Sequence, residues 1–179
     1  MEDEKVLNYI EKVIENVPGD WLKLTTHRLD IYNEELAKTE FIQEFEKLFD
    51  ENKFQAEELS KLPTAYDYIR LGHPLSSVLE WSIGHITGLE TESVISFSSR
   101  TIPVLAVLRK NLFDKKDTQI LYSDELPKHF DPEIIRKVYG YNFDLKKVDD
   151  PDTVSSFDGS TVFISENDKI GEYNLNSNI

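Results

Sequence analysis

Apolar residues in the first third of the chain recur at three- and four-residue intervals, with acidic and basic residues between them. This spacing places apolar side chains on one face of a helix, so it predicts amphipathic helices that pack on a core. Pro18-Gly19-Asp20 predicts the end of the first helix, and Asp20 is suited to cap the next one. We therefore expect residues 1–62 to form a helical N-terminal extension. The apolar stripes include Val6, Ile10, Ile14, Phe41, Phe45 and Leu48.

Beyond Pro63 the pattern changes to short runs of β-branched and apolar residues separated by helical stretches. The runs that predict strands are Ser93–Phe97, Thr118–Tyr122, Phe143–Val148 and Thr161–Ile164. The stretches that predict helices are Leu75–Thr87, Val104–Leu112 and Pro132–Val138, the last of them ending at Tyr139-Gly140. Alternating strands and helices are typical of βαβ units, so we expect residues 63–179 to form an α/β domain with parallel strands.

Charge and cysteine content narrow the classes of partner and site. The chain has 179 residues, a formal net charge of −14 and no cysteine. The absence of cysteine excludes disulfides and thiolate metal sites. A surface this acidic repels phosphate backbones and anionic lipid, so we expect neither nucleic acid nor membrane as a partner. A local basic pocket for a small anion remains compatible with this charge.

The sequence carries no targeting pattern that we can identify. The start of the chain, Met1 to Lys5, is acidic and lacks the basic-then-apolar order of a signal peptide. No apolar run approaches the roughly 18 residues that a membrane span requires. We therefore expect a cytoplasmic protein.

A candidate binding segment, Tyr68-Ile69-Arg70-Leu71-Gly72-His73-Pro74, precedes the helix predicted at Leu75. Side chains two positions apart in an extended loop point the same way. The Tyr68 phenol and the Arg70 guanidinium therefore suit a shared phosphate, because both are hydrogen-bond donors and one is a planar cation. The alternative interpretation is a solvated arginine beside a half-buried tyrosine.

This segment resembles one in the pyridoxal-phosphate (PLP) enzymes of Cys/Met metabolism, the group of cystathionine synthases, cystathionine lyases and sulfhydrylases. His73 stands where that family usually has Asn, and Leu75 where it has Thr. The resemblance implies that Tyr68 and Arg70 reach the PLP phosphate of a neighbouring subunit in a homo-oligomer, either a dimer or a tetramer. The residues at matching spacings are Tyr68, Arg70, Gly72, Pro74, Leu79 and Glu80.

The resemblance continues over residues 64–167 and implies the first, mostly parallel-sheet part of a fold-type-I PLP transferase domain. Ser98-Ser99-Arg100-Thr101 falls where the family has a Ser-Ser-Gly-Met turn that binds phosphate at a helix N-terminus. The resemblance therefore implies that Ser99, Arg100 and Thr101 are cofactor-binding residues. The alternative interpretation of Ser98-Ser99 is a plain helix cap. Arg100 replaces the family's glycine, and two roles for it stay open. Its side chain can bind the phosphate, or it can fill the site and exclude the phosphate.

The function implied for the complete protein is PLP-dependent chemistry on a small sulfur-containing amino acid. In the family, the Schiff-base lysine and the Asp that binds the ring nitrogen come later than residue 179, so we assign no catalytic residue here. The family's tyrosine that stacks on the pyridine ring also has no clear counterpart at Ser123 to Pro127. The alternative function is a non-catalytic binding or interaction module that retains the fold and has lost the cofactor site.

Other titratable residues predict no metal site. Four histidines share no metal-ligand spacing, and His85 on an apolar helix face favours a packed side chain. The acidic loop Asp149-Asp150-Pro151-Asp152, even together with Glu133, lacks the alternating ligand pattern and central glycine of a calcium loop. We interpret it as solvated.

Overall fold

The computed structural model describes residues 2–22, 36–64, 73–149 and 154–166. It divides into two compact units, Met1–Ser96 and Phe97–Ile179. The described part confirms the α/β class, since it combines helices with a small parallel sheet. Its elements are α1 (Glu2–Glu15), α2 (Ala37–Asp50), α3 (Ala56–Leu59), α4 (Pro74–Thr87), a 3-10 helix (Thr91–Ser93), α5 (Ile102–Asp114), β1 (Thr118–Tyr122), α6 (Pro132–Tyr139), β2 (Asp144–Lys147) and β3 (Ser160–Ile164).

The N-terminal unit is built from helices whose apolar faces meet in one core. Trp81 of α4 lies at its centre, with ring centroids 5.1 Å from Phe45 and 4.9 Å from Phe49 of α2. The predicted packing of the first sixty residues is confirmed for those described, except that Ile14 is 63% exposed. The buried residues of this core are Val6, Tyr9, Val13, Trp21, Phe41, Ile42, Phe45, Phe49, Leu59, Leu62, Val78 and Trp81.

Helix α4 begins and ends where its sequence predicts. Pro74 occupies its first turn, and Gly88 ends it with φ of +70°, a left-handed conformation that favours glycine. Val78 and Trp81 bury α4 in the N-terminal core. The two compact units consequently divide after Ser96, whereas the sequence pattern suggested a division after residue 62.

Residues 93–97, which we predicted as the first strand, do not belong to the sheet. Ser93 ends the 3-10 helix, Val94 after it is extended, and residues 94–97 have no strand partner among the residues described. The ammonium of Lys38 donates hydrogen bonds to the carbonyl oxygens of Val94, at 2.8 Å, and Thr91, at 3.3 Å. The prediction of a strand was therefore wrong, because side chains bind the backbone groups that a neighbouring strand would pair.

The carboxylate of Glu80, on α4, binds the same segment at Ser96. It accepts hydrogen bonds from the backbone N–H of Ser96, at 2.6 Å, and from the Ser96 hydroxyl, at 2.9 Å. The same carboxylate forms an ion pair of 2.6 Å with Lys38. Glu80 is only 6% exposed, so the desolvation of its charge is offset by these three partners. The pair holds the extended segment against the N-terminal helices.

The C-terminal unit contains the three-stranded parallel sheet, in the order β2-β1-β3. Ile120 of β1 lies at the centre of the sheet, in register with Leu145 of β2 and Val162 of β3. Three of the four predicted strands are confirmed, with bounds that differ by at most one residue at either end. The buried residues of this second core are Val104, Leu108, Ile120, Phe130, Ile135 and Phe143.

Helix α6 connects two adjacent parallel strands and is capped at both ends. The Asp131 side chain accepts hydrogen bonds from the N–H groups of Glu133, at 2.9 Å, and Ile134, at 3.1 Å. Gly140 ends the helix with φ of +71°, as the Tyr139-Gly140 pair predicts. The caps satisfy backbone groups that have no partner inside the helix.

Replacing Asp131 with alanine is expected to lower the free energy of unfolding by about 1 kcal/mol, because two N–H groups lose their acceptor. Urea unfolding followed by far-UV circular dichroism measures the change. Asp158→Ala removes the same charge from an exposed position and is expected to change stability by less than about 0.5 kcal/mol. An Asp131→Ala loss no larger than that of Asp158→Ala would show that the cap contributes nothing.

Candidate functional site

The carboxyl ends of the three strands mark the candidate site. Parallel strands end at one edge of a sheet, and open α/β sheets bind ligands outside that edge. Here β1 is followed by Ser123-Asp124 and β3 by Ser165-Glu166, both polar pairs, and β2 is followed by the buried Val148 and then Asp149. No strand is assigned beyond these three among the residues described, so the edge consists of these three ends and the segment that begins α5.

The segment that begins α5 contains the predicted phosphate-binding residues. The Ser99 hydroxyl accepts hydrogen bonds from the N–H groups of Thr101, at 3.3 Å, and Ile102, at 3.4 Å. Both distances are long for an N–H···O bond. Pro103 follows and has no N–H to offer. Ser99 thus partly occupies the donors of the turn that an anion at this helix N-terminus would use.

Arg100 joins this turn to the end of β3. Its guanidinium donates to the carboxylate of Glu166, and the two side chains are 78% and 51% exposed. The backbone N–H of Glu166 in turn donates to the Asp124 carboxylate at 3.4 Å, which also accepts from the Ser123 hydroxyl at 2.8 Å. These contacts place the start of α5 at the carboxyl edge, beside the segments that follow β1 and β3.

The electrostatic character of this edge is acidic. The exposed carboxylates of Asp124, Glu125, Asp149 and Glu166 follow the three strands, and Arg100 is the cation paired with one of them. An anionic ligand here would have to replace Glu166 as the partner of Arg100. Because the pair is exposed, it contributes no more than about 1 kcal/mol, which a charge-assisted bond to a phosphate can exceed.

The structure brings together three of the five predicted cofactor-binding residues. Ser99, Arg100 and Thr101 lie in one turn, and Arg100 is paired within the protein. Tyr68 and Arg70 lie outside the described residues. Glu166 was not predicted as part of the site, since its sequence context shows only that it follows a strand. Its pairing with Arg100 joins positions 66 residues apart, which no local pattern reports.

Other polar clusters in the described part have structural explanations. His85 packs on Trp81 with ring centroids 4.1 Å apart, as expected for a packing role, although its side chain is 29% exposed. Its Nε2 lies 3.3 Å from the Glu46 carboxylate, which also accepts from the Trp81 indole N–H. Within the described ranges, no group of three or more His, Asp or Glu side chains is arranged to hold a metal ion.

A recess in the surface lies at the opposite edge of the sheet, near the amino ends of the strands. This cleft has a volume of about 230 Å³. Asp117 and Asp144 carry charges toward it, but no buried polar group without a partner lines it. We therefore place the candidate site at the carboxyl edge. The cleft is lined by Asp117, Thr118, Asn142, Phe143, Asp144 and Phe157.

Comparisons with known proteins give no match: no protein-family model, no curated protein and no solved structure is similar to this chain. The resemblance to the PLP enzymes therefore depends on the residues quoted above. Among the helices of the described part, none has the length and apolar character that a bilayer crossing requires.

Proposed function

We propose that this chain contributes the cofactor-phosphate and dimer contacts of a PLP-dependent enzyme of sulfur amino-acid metabolism. One observation carries the proposal. The Ser98–Thr101 segment begins a helix at the carboxyl edge of a parallel sheet, where it presents hydroxyls, backbone N–H groups and one arginine. This edge is where α/β proteins bind phosphorylated ligands, and these donors suit a phosphate.

The N–H groups of the turn and the Arg100 guanidinium are suitable donors to a phosphate, which would displace the two protein acceptors that they bind now. The Ser99 hydroxyl is a neutral acceptor at 3.3–3.4 Å from the N–H groups of Thr101 and Ile102. The Glu166 carboxylate pairs with Arg100 in an exposed position. A phosphate dianion is the stronger acceptor for both sets of donors. When bound, PLP supplies an electron sink, and the residues described here bind and orient its phosphate.

The alternative is a non-catalytic binding or interaction module, and one observation favours it. Arg100 stands where the family has glycine, and its charge is already neutralised by Glu166. The neighbouring carboxylates of Asp124 and Glu125 also disfavour an anion. In this alternative, the Arg100–Glu166 pair joins two loops and no phosphate enters.

The first test is whether the turn binds a phosphate ester of the cofactor type. We suggest titrating the chain with pyridoxine 5′-phosphate, which lacks the aldehyde and so forms no imine with surface lysines. The amide resonances of Thr101 and Ile102 report on the turn. We expect saturable shifts of both amides with pyridoxine 5′-phosphate and none with pyridoxine, because the donors recognise the phosphate.

Substitutions then assign the binding to Arg100. Arg100→Ala is expected to weaken binding by about tenfold to a hundredfold, as for loss of a charged hydrogen bond. Arg109→Ala is the matched control, because it removes the same charge from an exposed position later in α5. Glu166→Gln is expected to strengthen binding, since it removes the competing carboxylate. Shifts that are absent, or equal with pyridoxine, would favour the non-catalytic module.

A further inference from the structure

His73 joins the beginning of α4 to the turn that follows α1. Its backbone is extended, with φ of −92° and ψ of 140°, and it occupies the cap position before Pro74. Its ring Nδ1 accepts a hydrogen bond of 3.2 Å from the N–H of Leu75. Histidine is an uncommon cap, since the preferred capping residues are Asn, Asp, Ser and Thr.

The His73 ring also interacts with the turn that follows α1. The ring forms a hydrogen bond with the backbone of Trp21. The Trp21 N–H is already donated to the carbonyl oxygen of Pro18 at 3.0 Å, so the Trp21 carbonyl is the group that remains. The assignment of Nδ1 as an acceptor follows from the hydrogen bond that it receives from the Leu75 N–H. This assignment requires the neutral imidazole in its Nε2–H tautomer.

A second proton is incompatible with this arrangement. Protonation places a hydrogen on Nδ1, which then faces the N–H of Leu75, so that two donors point at each other. The positive end of the helix dipole also disfavours a cation at this position. Burial of the ring lowers the pKa of His73, and the hydrogen bond to the Trp21 backbone opposes that shift in part.

The elements described around His73 carry few titratable side chains. The first turn of α4 contains no acidic residue. In the turn from Pro18 to Trp21, Asp20 is the titratable residue. Phe41 of α2 is uncharged, and its ring centroid lies 5.7 Å from that of Trp21. Glu80, further along α4, is paired with Lys38.

We propose that His73 is a pH-sensitive cap whose protonation removes the acceptor of the Leu75 N–H and so releases the first turn of α4. The folded state favours neutral His73, so this stabilisation is fully present above the unfolded pKa of about 6.5 and is lost as the pH falls through the lower folded value. Released residues would include the start of α4, which directly follows the Tyr68–Gly72 segment in the sequence.

Amide hydrogen exchange at Leu75 tests the proposal. We expect its protection factor, corrected for the intrinsic rate, to fall about fivefold between about pH 7.5 and about pH 5 in the wild type. His73→Asn keeps a cap that cannot be protonated, so its protection factor should not change over this range. His129→Asn, an exposed histidine of the other unit, should retain the wild-type response.

Two results would overturn the cap. One is a pH response of Leu75 in His73→Asn equal to that of the wild type. The other comes from the unmodified protein and so does not depend on how the variant folds: long-range ¹H–¹⁵N spectra that show the Nδ1–H tautomer of His73 at neutral pH. The Nε2–H tautomer at neutral pH, together with a pH-insensitive His73→Asn, would support the proposal.

Discussion

Replacing Phe45 with alanine is expected to lower the free energy of unfolding of the N-terminal unit by about 3–5 kcal/mol. Phe45 is fully buried in the N-terminal core. Its ring packs on those of Tyr9, Phe41 and Trp81, with centroid-to-centroid distances of 5.7, 5.9 and 5.1 Å. Alanine would remove these contacts and leave a cavity that the surrounding aromatic rings can fill only in part.

Tryptophan fluorescence during urea unfolding is a suitable measurement for Phe45→Ala. The chain has two tryptophans, Trp21 and Trp81, and both are buried in this core. Leu7→Ala provides the control, because Leu7 lies on α1 of the same unit and is 57% exposed. We expect the control to change stability by less than about 1 kcal/mol. A Phe45→Ala loss as small as that of Leu7→Ala would contradict the assignment of Phe45 to the core.

Replacing Glu80 with alanine is expected to have the second large effect, lowering the free energy of unfolding by about 3 kcal/mol. The substitution leaves the Lys38 ammonium without its carboxylate and the Ser96 N–H and hydroxyl without their acceptor. Breaking a buried pair by removing one partner costs about 3–5 kcal/mol. We expect the lower end of this range, because Lys38 remains 25% exposed and keeps two carbonyl acceptors.

The same fluorescence measurement reports the Glu80→Ala effect, with amide exchange at Ser96 as a local check. Glu44→Ala removes a carboxylate that is 48% exposed and pairs with Lys47 of the same helix, so it should cost less than about 0.5 kcal/mol. Glu80→Gln should lose less stability than Glu80→Ala and more than Glu44→Ala, since its amide oxygen still accepts from Ser96. If Glu80→Ala were no more destabilised than Glu44→Ala, the buried pair would not hold the 91–96 segment.

Local sequence was sufficient wherever an element is defined by spacing and by its end residues. The period of apolar positions predicted α1, α2 and α4, because a helix buries residues three and four apart whatever its partner. Gly140 marked a helix end, because it adopts a positive φ that other residues rarely adopt. The three strands of the sheet followed from short β-branched runs between helices.

The candidate site was predicted only in part. The Ser98–Thr101 segment was identified from its resemblance to a phosphate-binding turn, and the structure places it at the carboxyl edge of the sheet. Its partner Glu166 lies 66 residues away, so local sequence contained no signal for the ion pair. The cofactor and the sulfur amino-acid substrate stay predictions.

By itself, the sequence determined the longer helices and the three strands of the sheet, because their spacing and end residues act over a few neighbouring positions. The tertiary structure alone decided the state of residues 93–97, whose β-branched composition is the same as that of a strand. Lys38 binds Val94 across 56 positions and Glu80 binds Ser96 across 16, and both bind backbone groups that a sheet would otherwise pair. A backbone hydrogen bond formed with one partner is not available to another, and only the folded chain determines which partner is near.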